Sequence, residues 1–346
     1  MKKTVSKITT EVIYIPLKTP FITALRKVEN IEFVRVKVIC KDGTVAIGEA
    51  PSTKAITGET IETILESISS VIDILCGLET QEALELLHEQ SIGSSAKAAL
   101  DMAFMQLLGF FKLQNAESIK TDITISLNDK EKMLRDAEEA LNAGMDILKV
   151  KLGADINHAI EVTRELATTF VKAQLLIDAN QAWSLEESLA YVNACATLTP
   201  PYACLELIEQ PVVAEDLEGL KTITNASKIP ILADEAVFNL AEVKKVVESQ
   251  SADMINIKLM KCGGVSKAVE ILEYAREKNV TCMLGSMLEG PYSINAALYL
   301  AFNYRDVIKY VDLDSPLLYK EPSDALDFVF TGAVISPKAP SHQTLC

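Results

Sequence analysis

The sequence predicts an α/β protein: a (β/α) barrel preceded by a smaller α+β domain. Three observations carry this. From about residue 121 to 316, eight short apolar runs alternate with amphipathic helical stretches. A charged residue recurs at the end of these runs, about once per βα unit. The first 120 residues lack that rhythm and read as antiparallel strands followed by helices.

In chain order, Phe33 to Cys40 is rich in β-branched residues, and Lys41-Asp42-Gly43-Thr44 is a hairpin signal before a further strand. Helical patterns follow at Glu59 to Leu75, Gln81 to His88 and Ser94 to Leu113. The eight apolar runs then come at Asp122 to Leu127, Ile147 to Leu152, Leu175 to Ile177, Leu205 to Ile208, Ile229 to Leu232, Met254 to Leu259, Thr281 to Leu284 and Val307 to Val311. Runs apolar on both faces, with helical patterns in the seven gaps, describe a parallel sheet covered by helices. A doubly wound open sheet is the alternative, but no GxGxxG opens a helix after the first run. After Pro316 the βα rhythm is lost, and the tail is expected to return to the first domain.

The chain has 346 residues, 49% hydrophobic and 23% charged, an ordinary globular composition with length enough for a large core. No uninterrupted apolar run is long enough to span a membrane. The basic start (Met1, Lys2, Lys3) leads into an alternating strand, so a cytoplasmic location is expected. A net charge of −15 disfavours nucleic acid and anionic membranes as partners. Seven cysteines at irregular spacing form neither a CxxC pair nor a disulfide framework and read as small reduced core residues. With three histidines in the chain, a metal would be held by oxygen.

Candidate chemistry lies where the apolar runs stop. The second ends in Lys149-Val150-Lys151, the third in Asp178, the fourth in Glu209, the fifth in Asp234; the sixth carries Lys258 and the eighth ends in Asp312-Leu313-Asp314. From Lys151 to Lys258 the successive separations are 24 to 31 residues, so these side chains gather at one mouth of a barrel. Each carboxylate alone reads as a solvated loop residue or a helix N-cap. Three on adjacent strands repel unless a cation offsets them, and hard oxygen donors point to Mg²⁺, or to Mn²⁺. Lys151 and Lys258 fall on opposite sides of the barrel. Salt bridges to the carboxylates are the ordinary role for them, but a nearby cation such as Lys149 lowers a lysine's pKa and makes it a base. Two opposed bases beside a metal suit removal of a proton α to a carboxylate on one face and its return on the other.

Lys149-Val150-Lys151, Asp178-Ala179-Asn180-Gln181, Ile208-Glu209-Gln210-Pro211, Asp234-Glu235 and the run from Ile255-Asn256-Ile257-Lys258 through Lys261-Cys262-Gly263-Gly264 resemble the muconate-lactonizing subgroup of the enolase superfamily. The resemblance covers nearly the whole chain. It implies a modified TIM-type barrel, (β/α)₇β, at residues 121–316 and an α+β capping domain at 1–120, to which the tail 317–346 returns. It implies Asp178, Glu209 and Asp234 as ligands of one Mg²⁺ per subunit, Lys151 and Lys258 as the acid/base pair, and Lys149 as an electrostatic helper. Asp234-Glu235-Ala236 departs from relatives that carry Ser after the acidic pair.

Asp312-Leu313-Asp314-Ser315-Pro316 resembles the DxD motif of the dipeptide epimerases, whose two carboxylates hold the substrate's ammonium. Arg26 falls where L-Ala-D/L-Glu epimerases pair an arginine with the substrate's side-chain carboxylate, a natural bidentate partner. Ser286-Met287-Leu288-Glu289 resembles a substrate-lining segment, with Ser286 and Met287 expected to contact the peptide through their backbone. The resemblance makes the segment around Ala24-Leu25-Arg26 a lid over the barrel, Thr53 to Glu59 with Gly58 as pivot is a second lid candidate, and Trp183 is either a wall of the site or packing.

The implied activity is Mg²⁺-dependent epimerisation of a dipeptide's C-terminal residue, L-Ala-L-Glu to L-Ala-D-Glu and back, in breakdown of cell-wall peptides. A homo-oligomer is expected. The alternatives are an epimerase of hydrophobic dipeptides, or a cycloisomerase, o-succinylbenzoate synthase or N-acylamino-acid racemase on the same scaffold. Outside that class stand a non-catalytic metal- or peptide-binding protein and a Schiff-base aldolase.

Overall fold

The computed structural model describes residues 3–23, 27–114, 117–198 and 204–338. Arg26 lies outside the described residues. The N-terminal part holds strands β1 (Val5–Ile22), β2 (Lys27–Cys40) and β3 (Val45–Pro51), then helices α1 (Lys54–Thr57), α2 (Ile61–Leu75), α3 (Thr80–Glu89) and α4 (Ser94–Leu107). The three strands form an antiparallel meander in the order β1-β2-β3. At the β2–β3 turn, Gly43 takes φ +83° and Asp42 Oδ1 accepts the Thr44 N–H at 2.9 Å, so the Asp-Gly pair makes the turn it signals. Helix α4 stops short of the predicted Leu113 because Gly109 turns left-handed at φ +78°.

A short strand β4 (Ile119–Lys120) leads into the barrel: β5 (Ile123–Ile125), α5 (Lys130–Asn142), β6 (Ile147–Lys151), α6 (Ile156–Thr169), β7 (Gln174–Asp178), α7 (Leu185–Cys195), β8 (Cys204–Glu209), α8 (Leu217–Ala226), β9 (Ile231–Ala233), α9 (Leu240–Ser249), β10 (Met254–Lys258), α10 (Leu259–Cys262), α11 (Val265–Lys278), β11 (Thr281–Gly285), α12 (Pro291–Asn303) and β12 (Ile308–Asp312). The eight strands β5 to β12 pair in sequence order, each parallel to the next. All eight predicted runs are strands. The seam between β5 and β12 is closed by single bonds: the Asp122 N–H and the Thr121 hydroxyl both donate to Val311 O at 3.2 Å, and Leu313 N–H donates to Thr121 Oγ1 at 3.1 Å.

Strand parity decides what fills the barrel. Side chains alternate, so every second residue points inward. Leu176, Leu207, Leu232, Met254, Met283 and Tyr310 form one buried apolar layer, with Ile147 against it. Two residues further along each strand come Lys149, Asp178, Glu209, Asp234, Asn256, Gly285 and Asp312. An apolar plug therefore sits directly beneath a ring of charged and small residues. The same side chains are in register: Lys151 lies beside Asp178 and Asp178 beside Glu209, while Lys258 lies beside Gly285 and Gly285 beside Asp312.

Two carboxylates of the N-terminal part fasten it over this end of the barrel. Buried Glu49 of β3 pairs with Arg35 at 2.8 Å and accepts the N–H groups of Tyr292 (2.9 Å) and Ser293 (3.3 Å), the first turn of α12. Buried Asp101 of α4 accepts the Ser266 N–H at 3.1 Å in the first turn of α11. An anion suits a helix N-terminus in both cases. After β12 come α13 (Ser315–Leu318) and a hairpin, β13 (Phe328–Thr331) with β14 (Val334–Pro337), whose second strand pairs with β4. Tyr319 bridges to Leu17 of β1. Cys40, Cys195 and Cys282 are buried core residues, but Cys204 is exposed at the start of β8, against the core reading for cysteines. Among the described residues no helix is long and apolar enough to cross a membrane.

Helix α4 approaches β3 so closely that a Cβ on Gly48 would sit 1.8 Å from Ala99 O. Gly48→Ala is therefore expected to cost about 3 kcal/mol or more, the upper end for overpacking. The urea unfolding midpoint measures this, and an unchanged midpoint would contradict the packing described.

Candidate active site

The cleft at the C-terminal ends of the strands is lined by Lys151, Lys258, Asp234, Glu235, Asp312 and Asp314. Over them lie Phe21 and Thr23 at the end of β1, Ala55 and Ile56 of α1, and Ser286, Met287 and Leu288 after β11. Strands β6 and β10 are four places apart among eight, so Lys151 and Lys258 face each other across the mouth.

Lys149 is fully buried and bonded to three carboxylates: Asp312 at 2.5 Å, Glu209 at 2.7 Å and Asp178 at 3.3 Å. Lys151 reaches Asp178 at 2.5 Å, Lys258 reaches Asp234 at 2.6 Å, and Lys261 reaches the other oxygen of Asp234 at 2.6 Å. Burial pushes the Lys149 ammonium down, but Asp312, Glu209 and Asp178 outweigh it and hold it well above the usual lysine value. Lys258 is likewise pushed down by burial and raised on balance by Asp234. Lys149 does lower Lys258, in the expected direction, but Asp234 outweighs it. The Lys149 ammonium is committed to carboxylates, and the charge next to Lys258 is an anion.

The three predicted metal ligands are all buried on adjacent strands β7, β8 and the end of β9. Their oxygens do not form the tightest acidic group. Among the described residues, that group is Asp122, Asp312 and Asp314, with ligand atoms within 4.8 Å of one another. Lysines lie instead on Asp178 and Asp234. Burial and Asp178 push Glu209 up to about 7, against the pull of Lys149. Burial and Asp234 push Glu235 up to about 8. Glu235 Oε2 and Asn180 Oδ1 are buried acceptors with no hydrogen-bond donor, and Glu209 Oε2 has the Lys149 ammonium at 2.7 Å as its one partner. Unsatisfied buried oxygens on a carboxylate set without imidazole or thiolate fit a hard divalent cation.

Several positioning residues escaped sequence reasoning. Gln210 Oε1 accepts the N–H groups of Asp234 (2.9 Å) and Ala236 (3.2 Å), and Asn256 Nδ2 donates to Glu209 at 2.8 Å. Lys261 follows Lys258 by one helical turn and also donates to the carbonyls of Asp234 and Asn256. Each belongs to a quoted motif, but nothing in the spacing separates a positioning amide from a surface one. Asn180, Gln181 and Gln210 take left-handed backbone at φ 45°, 66° and 37° just past the carboxylates, a concentration of strain at the strand ends. Gly285 is required by close approach: a Cβ there would lie 2.8 Å from Asn256 Oδ1 and 3.1 Å from Lys258 Cε.

Ser286 and Met287 line the cleft, but their backbone N–H groups are engaged by Asp312 O (3.1 Å) and Glu289 Oε1 (2.8 Å). Those two donors are therefore taken within the fold. Trp183 does not reach the cleft; it is buried on Tyr191 and donates to Gly153 O at 2.9 Å.

The residues match two known domain models. Residues 132–340 match the enolase C-terminal domain-like model, and residues 7–116 match the N-terminal domain of mandelate racemase/muconate lactonizing enzyme. The chain belongs to the mandelate racemase/muconate lactonizing enzyme family of the enolase superfamily. It is 57% identical over 340 residues to the L-amino acid-D/L-Glu epimerase of Sulfurimonas denitrificans, covering 95% of this chain and 98% of that one. It also resembles the substrate-liganded complex of the L-Ala-D/L-Glu epimerase from Bacillus subtilis, with TM-score 0.88, 36% identity and 96% of each chain covered. Against the dipeptide epimerase from Enterococcus faecalis V583 complexed with Mg and the dipeptide L-Leu-L-Tyr, the TM-score is 0.87 at 30% identity over 97% of each chain.

Within this family member, Glu289 ties the cleft-lining loop to α12, accepting from Met287 N–H and the Ser293 hydroxyl. Burial raises its carboxyl from 4.5 to about 7. Between those pH values the folded state holds a proton that the unfolded chain has lost, so stability falls as pH rises through that window. Relative to Glu289→Gln, the wild type should lose about 3 kcal/mol between pH 4 and pH 8. Denaturant midpoints at the two pH values test this; a constant difference would contradict a carboxyl protonated in the fold.

Proposed function

We propose that this protein is a Mg²⁺-dependent dipeptide epimerase that inverts the α-carbon of the C-terminal residue, with L-Ala-L-Glu and L-Ala-D-Glu as its substrate pair. The observation that carries the reading is the placing of Lys151 and Lys258 across one cleft, with Asp312 and Asp314 lining it between them. Simple binding needs no opposed lysines. A Schiff-base lysine gives no reason for the carboxylates on β7, β8 and β9.

The chemistry follows from the side chains. A neutral amine at one lysine takes the α-proton, and the C–H electron pair passes into the substrate carboxylate to give an enediolate. The opposite ammonium then returns a proton to the other face, so the centre inverts without net gain or loss of protons. Asp178, Glu209 and Asp234 would hold Mg²⁺, whose charge would stabilise the developing negative oxygens. Lys149 offsets the same carboxylates from behind. Asp312 and Asp314 receive the substrate ammonium, which a lactone or an N-succinylated substrate lacks. Ser286 and Met287 border the substrate through the serine hydroxyl and the methionine side chain.

Arg26 is assigned to the glutamate side chain on its resemblance alone, since a guanidinium is the natural bidentate partner of a carboxylate. A second reading, an epimerase of hydrophobic dipeptides, is favoured by the apolar roof of Phe21, Ile56, Met287 and Leu288. The resemblance also carries the division into a capping domain at 1–120 with the tail 317–346 and a barrel at 121–316, a homo-oligomer and a cytoplasmic setting.

Proton NMR in D₂O with Mg²⁺ should show loss of the C-terminal α-proton signal of L-Ala-L-Glu, and not of L-Ala-L-Leu. Exchange of the apolar dipeptide alone would overturn the Arg26 assignment, and no exchange in a broad dipeptide panel would overturn the activity. Lys151→Ala and Lys258→Ala should each lose exchange from at least one epimer while keeping the fold. Glu209→Gln should weaken Mg²⁺ binding by about tenfold or more, and Asp314→Asn should leave it unchanged while raising KM. The reverse pattern in a Mg²⁺ titration would move the metal to the Asp122, Asp312 and Asp314 group.

A further inference from the structure

Asp122 reads from the sequence as nothing more than the first residue of a strand. In the fold it sits at the barrel seam, fully buried, behind the Asp312 and Asp314 pair. Donor accounting separates the three carboxylates. Asp314 Oδ2 accepts the Thr124 N–H at 2.8 Å, and Asp312 Oδ2 accepts from Lys149 at 2.5 Å. Both oxygens of Asp122 are buried with no donor. An ionised carboxylate in that position would be desolvated, unpaired and beside two further anions. A carboxyl that keeps its proton escapes all three penalties; Asp312 and Asp314 both lie within 4.8 Å, and Asp312 is the one placed to share a hydrogen bond with it. The backbone supports this geometry, because the Asp122 N–H is bonded to Val311 O, one residue before Asp312.

We propose that Asp122 is a positioning residue of the ammonium subsite, a neutral carboxyl whose proton is held by Asp312 and fixes how Asp312 faces the incoming substrate. The assignment rests on the dipeptide reading above. It explains how three acids pack together: two carry the charge that an ammonium needs, and the third supplies a hydrogen bond without a third charge. The charged groups around Asp122 are Asp312, Asp314 and Lys149; burial and Asp312 raise its carboxyl, against the pull of Lys149. Lys149 is turned to Asp312, Glu209 and Asp178, so it gives Asp122 no direct partner.

The test compares the full-length Mg²⁺-loaded wild type with Asp122→Asn, which is neutral and keeps a donor, and Asp122→Leu, which keeps the bulk and loses the donor. With L-Ala-L-Glu, Asp122→Asn should hold KM within about threefold, while Asp122→Leu raises KM by about tenfold or more with a smaller change in kcat. Carboxyl ¹³C NMR of aspartate-labelled protein should show one aspartate protonated at neutral pH in the wild type and absent in Asp122→Asn. A KM raised as much by Asn as by Leu would make Asp122 an ionised ligand and overturn the proposal, as would the lack of any such resonance. Should the wild type exchange no dipeptide α-proton, the dipeptide reading fails, and the resonance alone decides the protonation of Asp122.

Discussion

The site depends on one buried cation. Lys149 is held in a fully buried position by the inward parity of β6, and its ammonium is shared among Asp178, Glu209 and Asp312. These three carboxylates come from three strands and belong to two sets, the proposed metal ligands and the proposed ammonium subsite. Bringing them together without Lys149 would leave several unpaired anions in a desolvated barrel mouth, each costing several kcal/mol. Lys149 thus joins two sites that otherwise repel. Its neighbour two residues on, Lys151, is carried by the same parity to the cleft surface, where it contacts Asp178 and lines the cleft beside the proposed substrate.

Around that centre the barrel keeps apolar and charged layers strictly separate. The plug of Leu176, Leu207, Leu232, Met254, Met283 and Tyr310 lies beneath a ring of charged and amide side chains, with two strand residues marking each step. Each site carboxylate is then oriented by an uncharged or cationic neighbour: Asn256 on Glu209, Gln210 and Lys261 on Asp234, Thr124 on Asp314. The roof is tied down independently, through Glu49 and Asp101 capping barrel helices α12 and α11. Fixed floor, oriented ring and fastened roof are what the proposed reaction, with its two opposed proton carriers, would require, since misplacement of either lysine would stop transfer on one face.

Much of this is legible in the sequence because it is written in short-range patterns. Strand positions follow from apolar runs, and the site follows from charged residues that end them at βα spacing. The Asp-Gly turn and the Lys149/Lys151 pair are read from residues one or two apart. What was not legible depends on contacts across the fold. Asp122 looks like a strand start because its acidic partners lie some 190 residues away, and Gln210 looks like a loop amide until Asp234 is placed beside it. The balance at the lysines is hidden for the same reason: the sequence places Lys149 near Lys151, but carboxylates from other strands hold Lys149 charged and outweigh its pull on Lys258. Residues beyond local pattern, such as Arg26, stand on resemblance alone.

The most direct test is urea unfolding of Lys149→Met with and without Mg²⁺. If the Lys149 ammonium holds the three carboxylates together, the variant should lose about 3–5 kcal/mol in the absence of metal. Mg²⁺ should then stabilise the variant more than the wild type, because a second cation takes over part of the same charge. An unchanged midpoint in the absence of metal, or equal stabilisation of both proteins by Mg²⁺, would contradict the account.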